Sequence, residues 1–165
     1  MLEIHRPTEP SVYYKAEAFH IAAKILHGNA ALNYRGAPFI VNAAFSLELY
    51  LKSLMSKTIL EAPEIHGEGY TSYNRTYSRS KHTGSGHDLN NLYQKLSEKI
   101  RSELQKNHQE LSGNFSLTDF FNKNKAHFVN WRYSFEGDAE PYCAQDVLHV
   151  LDTFKSYASR YIVQC

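Results

Sequence analysis

The chain has 165 residues, a length that favours one domain with a continuous core. With 18 Lys and Arg against 17 Asp and Glu, the formal net charge of +1 excludes bulk attraction to nucleic acid, so such attraction would need local patches. The two cysteines lack metal-ligand spacing, no basic segment with an apolar run opens the chain, and no apolar run reaches the roughly 18 residues of a membrane span. We therefore expect a reduced, cytoplasmic protein whose single domain covers residues 1–165 and which does not contact a membrane.

The first predicted helix covers about residues 11–32. Ser11 is a suitable N-cap, and apolar residues follow it at intervals of three and four. His20 and His27 lie two turns apart on this helix, which is too far for both to bind one ion. We interpret them as surface or packing residues.

The second predicted helix covers about residues 38–58 and begins at Pro38, a residue favoured at the first helical position. Apolar side chains cover more than half of its circumference, so neighbours must pack on several of its sides. Glu48 and Lys52 are four residues apart, and we interpret them as an exposed intrahelical ion pair.

Residues 61–86 form a long, flexible insertion in this prediction, because turn-forming residues replace the helical periodicity. Arg75, Arg79 and Lys81 alternate there with tyrosines, and no acidic residue lies among them. Cations interleaved with stackable rings are typical of surfaces that bind single-stranded nucleic acid. We therefore predict that these three residues contact RNA, while a tyrosine-rich insertion without a binding role is the alternative.

Three more helices are predicted in the second half of the chain. One covers about residues 89–108 behind Asp88 as N-cap, a second about residues 116–135, and a third about residues 141–163. The resulting fold class is all-α, an up-and-down bundle of about five helices with a long loop between the second and the third.

Residues 130–136 combine polar and aromatic side chains more densely than any other segment. Asn130, Trp131, Arg132, Tyr133 and Glu136 all lie within this stretch at the end of the fourth predicted helix. Such density suggests a binding or catalytic site. The alternative is structural, because an arginine four residues before a glutamate also has the spacing of an ordinary intrahelical ion pair.

Three segments, taken in order and spacing, resemble the HEPN superfamily of prokaryotic helical-bundle proteins over about residues 11–163. They are Phe45-Ser-Leu-Glu-Leu-Tyr-Leu-Lys-Ser-Leu54, Gly86-His-Asp-Leu89 and Asn130-Trp-Arg-Tyr-Ser-Phe-Glu136. The resemblance implies a bundle that forms homodimers, and metal-independent RNA cleavage in toxin–antitoxin and phage-defence systems. It implies no cofactor and no metal ligands.

The catalytic signature of that family is an arginine followed after four to six residues by a histidine. Arg132 matches the arginine by its context, but Gly137, Asp138 and Ala139 occupy the positions where the histidine should fall. The chain therefore lacks the standard partner. His87 is the best replacement, since it lies at a helix start that bundle packing can bring against Arg132.

We predict a polar cluster of Arg132, Glu136 and His87 as the catalytic candidates, with Asp88 beside them. Asn130, Trp131 and Tyr133 complete the expected binding residues. The structural alternative is that Asp88 only caps its helix and that Arg132 only pairs with Glu136.

The expected function is a binding or assembly module for RNA or a nucleotide in a defence or toxin–antitoxin setting. Two alternatives stay open. One is an active ribonuclease that uses Arg132 with His87 or with a histidine of a second subunit. The other is a purely structural component of a larger defence assembly. The expected partners are a second copy of the chain, RNA or a nucleotide, and an antitoxin or other defence-system protein.

Overall fold

The computed structural model of the protein describes residues 2–31, 35–60, 63–65, 67, 71–73, 78–82, 86–125, 130 and 141–162. Six helices account for most of this part of the chain: α1 (Pro10–Gly28), α2 (Gly36–Ser53), α3 (Leu89–Lys95), α4 (Glu98–Glu110), α5 (Leu117–Lys123) and α6 (Ala144–Ser159). They pack around one hydrophobic core. The prediction of a helical bundle is confirmed.

Helix α2 lies at the centre of the bundle and packs against α1, α3 and α6. Its buried side chains point in several directions, as the broad apolar surface in the sequence predicts, and include Phe39, Ile40, Leu47, Tyr50 and Leu51. Removing one such side chain from water contributes about 1.5 to 3 kcal/mol, so α2 supplies a large share of the stabilising burial.

The prediction of one continuous helix over residues 89–108 is wrong, because the chain breaks between α3 and α4. Leu96 and Ser97 both have extended backbone angles, and the Ser97 hydroxyl accepts a hydrogen bond of 3.3 Å from the amide of Ile100. Ser97 is thus the N-cap of a new helix. The apolar stripe continues across the break because Leu96 and Leu104 both face the same core.

Five short strands in the described part of the chain add two small antiparallel sheets that the sequence analysis missed. Strands β1 (Leu2–His5), β2 (Ser56–Leu60) and β5 (Ser78–His82) pair in the order β1-β2-β5, and β3 (Pro63–Ile65) pairs with β4 (Thr71–Tyr73). The predicted loop over residues 61–86 therefore contains paired strands.

Helix α2 ends at Ser53, and the chain enters β2 three residues later instead of staying helical to residue 58. The hydroxyl of Ser53 donates to the carbonyl of Tyr50, and that of Ser56 donates to the carbonyl of Lys52, which satisfies two acceptors at the helix end. Thr58 and Ile59 then favour a strand, because β-branched side chains fit a pleated sheet.

Two histidines are buried inside the bundle. His20 of α1 packs against Tyr50, with its Nδ1 atom 3.3 Å from the tyrosine hydroxyl. Its Nε2 atom lies 3.3 Å from the Asp152 carboxylate, although without the alignment of a hydrogen bond. Burial lowers the pKa of His20 to about 4, even though the carboxylate of Asp152 acts in the opposite direction. His20 is thus a packing residue, as the sequence predicts.

His108 of α4 is fully buried against α6. The Thr153 hydroxyl donates its hydrogen to the carbonyl of His149, so toward His108 it can only accept. It lies 3.0 Å from Nδ1 of His108, and the single N–H of the neutral imidazole is therefore on Nδ1. Nε2 of His108 has no hydrogen-bond partner and faces Gly113, where an added Cβ atom would lie 2.3 Å away. Burial, reinforced by the neighbouring His149, lowers the pKa of His108 to about 4.

We expect the stability of the protein to fall between pH 6.5 and pH 4, in part because of His108. The unfolded histidine binds a proton near pH 6.5, whereas the folded one resists it down to about pH 4. Its contribution is therefore complete above pH 6.5 and lost as the pH falls, by about 3 kcal/mol in all. Urea unfolding at pH 7.5 and pH 4.5 measures this loss.

The variant His108→Gln is the matched comparison, since it cannot titrate. It should be less stable at pH 7.5 but lose less stability on acidification than the natural protein. An equal loss in the two proteins would show that His108 does not contribute to the acid sensitivity.

Candidate functional site around Glu48 and His87

Glu48 of α2 is a buried carboxylate with two cationic or potentially cationic partners. Its side chain is only 2% exposed. Lys52 donates to its Oε1 atom at 2.7 Å, and Nδ1 of His87 lies 3.1 Å and 3.0 Å from its two oxygens. An unpaired carboxylate at this depth would cost several kcal/mol, and these two partners offset that cost.

The prediction that Glu48 and Lys52 form an exposed pair is wrong. Both side chains lie within the protein, with Lys52 largely covered. The helical spacing of the pair was predicted correctly, but α2 is surrounded on so many sides that no polar strip remains in solvent.

Glu48 is also the site residue that the sequence analysis missed. The available signal was the broad apolar surface of α2, which leaves little room for an exposed face.

The turn before α3 places His87 against Glu48. Gly86 has a φ of +91°, in the left-handed region that glycine adopts at low cost. Asp88 then caps α3 by accepting a hydrogen bond of 2.8 Å from the amide of Asn91. His87 is held between these two fixed residues, so the direction of its side chain follows from the start of the helix.

This arrangement fixes the tautomer of the neutral His87 ring. A carboxylate can only accept, so the proton must lie on Nδ1, and a neutral ring then carries its lone pair on Nε2. The side chain is 58% exposed, unlike that of Glu48. A buried carboxylate that orients an exposed imidazole can support a general base, and the protonated ring can instead donate to a phosphate.

Not all of the predicted site lies within the described residues. His87 is in the cluster, and Asp88 is exposed and acts as a helix cap. Asn130 has helical backbone and is partly buried. Outside the described residues lie the other predicted members of the 130–136 segment, Arg132, Glu136, Trp131 and Tyr133, together with Arg75, so their places in the site stay predictions.

One backbone contact bears on the path of the chain toward that segment. The amide of Leu89, at the start of α3, donates to the carbonyl of Lys125 at 3.2 Å. Lys125 precedes Asn130 by five residues in the sequence. The part of the chain that leads to residues 130–136 therefore starts from the same end of α3 that carries His87.

Arg79 and Lys81 lie on β5, in the middle of the predicted RNA-contacting insertion. Lys81 is directly opposite Lys57 of β2, which is in turn opposite His5 of β1. These three basic residues are therefore in register across all three strands, and we call them the basic row. Arg79 lies two residues from Lys81, directly opposite Ile59 of β2, which is buried.

The basic row is close to the Glu48 cluster along the backbone. Ser56 is opposite His82, and its hydroxyl donates to the carbonyl of Lys52 at 2.6 Å. The end of the sheet that carries the row thus adjoins the end of α2. His87 follows His82 by five residues.

A separate cavity of about 670 Å³ lies between α4 and the chain before α5, where Arg101, Gln105 and Phe115 line it. Neither Glu48 nor His87 lines this cavity, so the imidazole and the carboxylate that could transfer a proton lie outside it.

Among the described residues, no three His, Cys, Asp or Glu side chains converge on a possible metal site. No helix in that part of the chain is long and apolar enough to cross a membrane.

Comparison of the chain with protein-family models, with curated proteins and with solved structures finds no match. The assignment of a function therefore depends on the residues and contacts described above.

We expect Glu48→Gln to destabilise the protein by about 2 kcal/mol at pH 7, because it removes the charge that Lys52 and His87 face inside the protein. Urea unfolding measures the change. The control is Glu110→Gln, which removes an exposed partner 3.9 Å from Lys106 and should cost less than about 0.5 kcal/mol. Similar effects of the two substitutions would contradict a structural role of the buried carboxylate.

Proposed function

We propose that this protein is a HEPN-like module that binds RNA or a nucleotide in a prokaryotic defence or toxin–antitoxin system, and that it does so as a cytoplasmic homodimer without catalysis. One observation carries the proposal: His87, at the start of α3, is oriented by the buried Glu48 carboxylate. The resemblance of three segments to the HEPN superfamily supports the setting, including an antitoxin or another defence protein as a partner.

The charges around His87 fit a phosphate ligand. Lys52 already donates to Glu48, and the partly exposed imidazole of His87 beside this pair can donate a hydrogen bond to a phosphate. The row of His5, Lys57 and Lys81 lies at the adjoining end of the sheet. Basic residues in register across neighbouring strands can contact successive phosphates of a nucleic-acid backbone.

A second candidate function is a metal-independent ribonuclease, and the geometry of His87 favours it. Nδ1 donates to the carboxylate, so Nε2 of the neutral ring can accept the proton of an RNA 2′-hydroxyl. The oxygen then attacks the adjacent phosphorus, the bond to the 5′-oxygen breaks, and that oxygen takes a proton from water. Arg132, the family's arginine by context, would stabilise the pentavalent phosphate, with Glu136 as its partner.

We expect RNA binding to weaken when Arg75, Arg79 and Lys81 are replaced by alanine, and the difference to be largest at low salt. Each phosphate contact releases condensed counterions, so three lost contacts should lower the slope of log affinity against log salt by about 2 to 3. Fluorescence anisotropy with a labelled single-stranded RNA measures both quantities.

A charge-matched control is the triple alanine variant of Lys99, Lys106 and Lys123, which are exposed on α4 and α5. It should bind RNA as the natural protein does, because these lysines lie on helices, outside both residues 61–86 and the sheet. Equal losses of RNA affinity in the two triple variants would show that only the net charge matters. Such a result would contradict a specific contact between RNA and the sheet.

We further expect the purified protein to bind RNA in the presence of a chelator without cutting it, and binding to weaken in Arg132→Ala and in His87→Ala. Gel analysis of labelled RNA over several hours reports cleavage. His27→Ala is the control, since His27 packs against Phe39 with ring centres 5.2 Å apart, away from the cluster. If the natural protein and the control cleave RNA while both site variants do not, the binding-module hypothesis is wrong and the ribonuclease hypothesis is supported.

A further inference from the structure

Helix α1 has two apolar faces, and only one of them is buried. Tyr13, Ala16, His20 and Ala23 face the core. On another side of the same helix, Tyr14 is 53% exposed, Ile21 50% and Ile25 63%, and Ala18 between them is exposed as well. Three of the five large hydrophobic side chains exposed in the described part of the chain therefore lie on this one stripe.

The spacing of the stripe is that of a helix-pairing seam. Tyr14, Ala18, Ile21 and Ile25 follow one another at intervals of four, three and four residues. This is the repeat by which two helices bury a common line of side chains, with each residue inserted between residues of the facing helix. Singly scattered apolar residues are normal on a protein surface, whereas a continuous seam indicates an interaction surface.

We propose that this seam binds the same seam of a second copy of the chain, with the two α1 helices antiparallel. An antiparallel pair related by a two-fold axis brings Ala18 against Ile21 of the second copy and Tyr14 against Ile25 of the second copy. The small alanine near the centre lets the helices approach closely. Both ends of the contact then contain a tyrosine and an isoleucine.

The charged residues beside the seam favour the antiparallel arrangement of the two helices. Glu17 and Lys24 are seven residues apart and therefore border the same edge of the seam. In the antiparallel pair that edge meets its own copy, so Glu17 faces Lys24 of the second copy, and the contact occurs twice by symmetry. A parallel pair would place Glu17 opposite Ala22, without an ion pair.

Each of these two residues already pairs with α6, and the antiparallel contact extends both pairs. Lys155 lies 2.8 Å from Glu17, and Lys24 lies 2.6 Å from Asp152. All four side chains retain some exposure. Joining the two pairs across the two-fold axis gives a row of alternating charges, which is more favourable than isolated surface pairs.

The length of α1 sets the scale of the affinity. Its 19 residues extend over about 28 Å at 1.5 Å per residue, so the contact is a single short helix pair. A contact of this length is smaller than a standard stable interface, so we expect a weak dimer that dissociates on dilution. The inference specifies the homodimer proposed above, so a natural chain that stays monomeric would refute both. RNA binding uses none of the residues of the seam and is tested separately, whereas a dimer that survives changes in the seam would refute only this inference.

Sedimentation equilibrium over a wide range of protein concentration tests the proposal. The natural chain of 19.0 kDa should approach twice its mass at high micromolar concentration. The variant Ile21→Glu with Ile25→Glu should remain monomeric with an unchanged melting temperature, because both residues are exposed. Leu111→Glu alters an exposed leucine outside the seam and should still dimerise. A natural chain that stays monomeric throughout, or a double variant that still dimerises, would overturn the proposal.

A charge exchange tests the direction of the helices. Glu17→Lys and Lys24→Glu should each weaken the dimer about fivefold, since each disturbs two symmetric contacts. The two substitutions together should restore the affinity, because the exchanged charges again face each other across the axis. Within one chain the double variant breaks both pairs to α6, so a purely intramolecular role predicts the largest loss for it. Failure of this rescue would rule out the antiparallel arrangement.

Discussion

The buried carboxylate of Glu48 is the constraint on which the candidate site depends. A charge within the core of a bundle must be matched, and here the match comes from Lys52 one turn away and from His87 at the start of another helix. Because α2 is packed on several sides, Glu48 cannot move without disturbing the core. The position of His87 is therefore set by a helix that is packed on several sides, although its own side chain is 58% exposed.

The sequence predicted the helices whose apolar residues recur with the helical period. Helices α1, α2 and α6 were located because each packs against the common core, so that its apolar residues recur every three or four positions in the sequence. Helix ends were harder to predict. At Ser97 the stripe of apolar residues continues while the backbone turns, and after Ser53 the apolar character persists into β2. In both places burial continues across a change of backbone conformation, so a pattern of burial cannot mark the boundary.

The candidate site was predicted only in part, for a related reason. His87 stood out because Gly86 and Asp88 mark a helix start around it. Glu48 did not, since a glutamate four residues before a lysine has the same spacing on an exposed surface as in a buried cluster. What distinguishes the two cases is the contact with His87, 39 residues away, which no local pattern contains. The basic row across β1, β2 and β5 is also a product of strand register, which brings together residues from three distant segments.

The charge state of His87 connects the two candidate functions. In the positive state the ring can donate to a phosphate, and in the neutral state its Nε2 atom can accept a proton from a hydroxyl. Binding and cleavage thus need the same orientation of the imidazole, and the buried carboxylate supplies it in both. Cleavage additionally needs a cation that stabilises the charged phosphate as it forms, and Lys52 cannot provide it while it is bound to Glu48. The choice between a binding module and a ribonuclease therefore depends on whether Arg132 reaches the exposed side of His87.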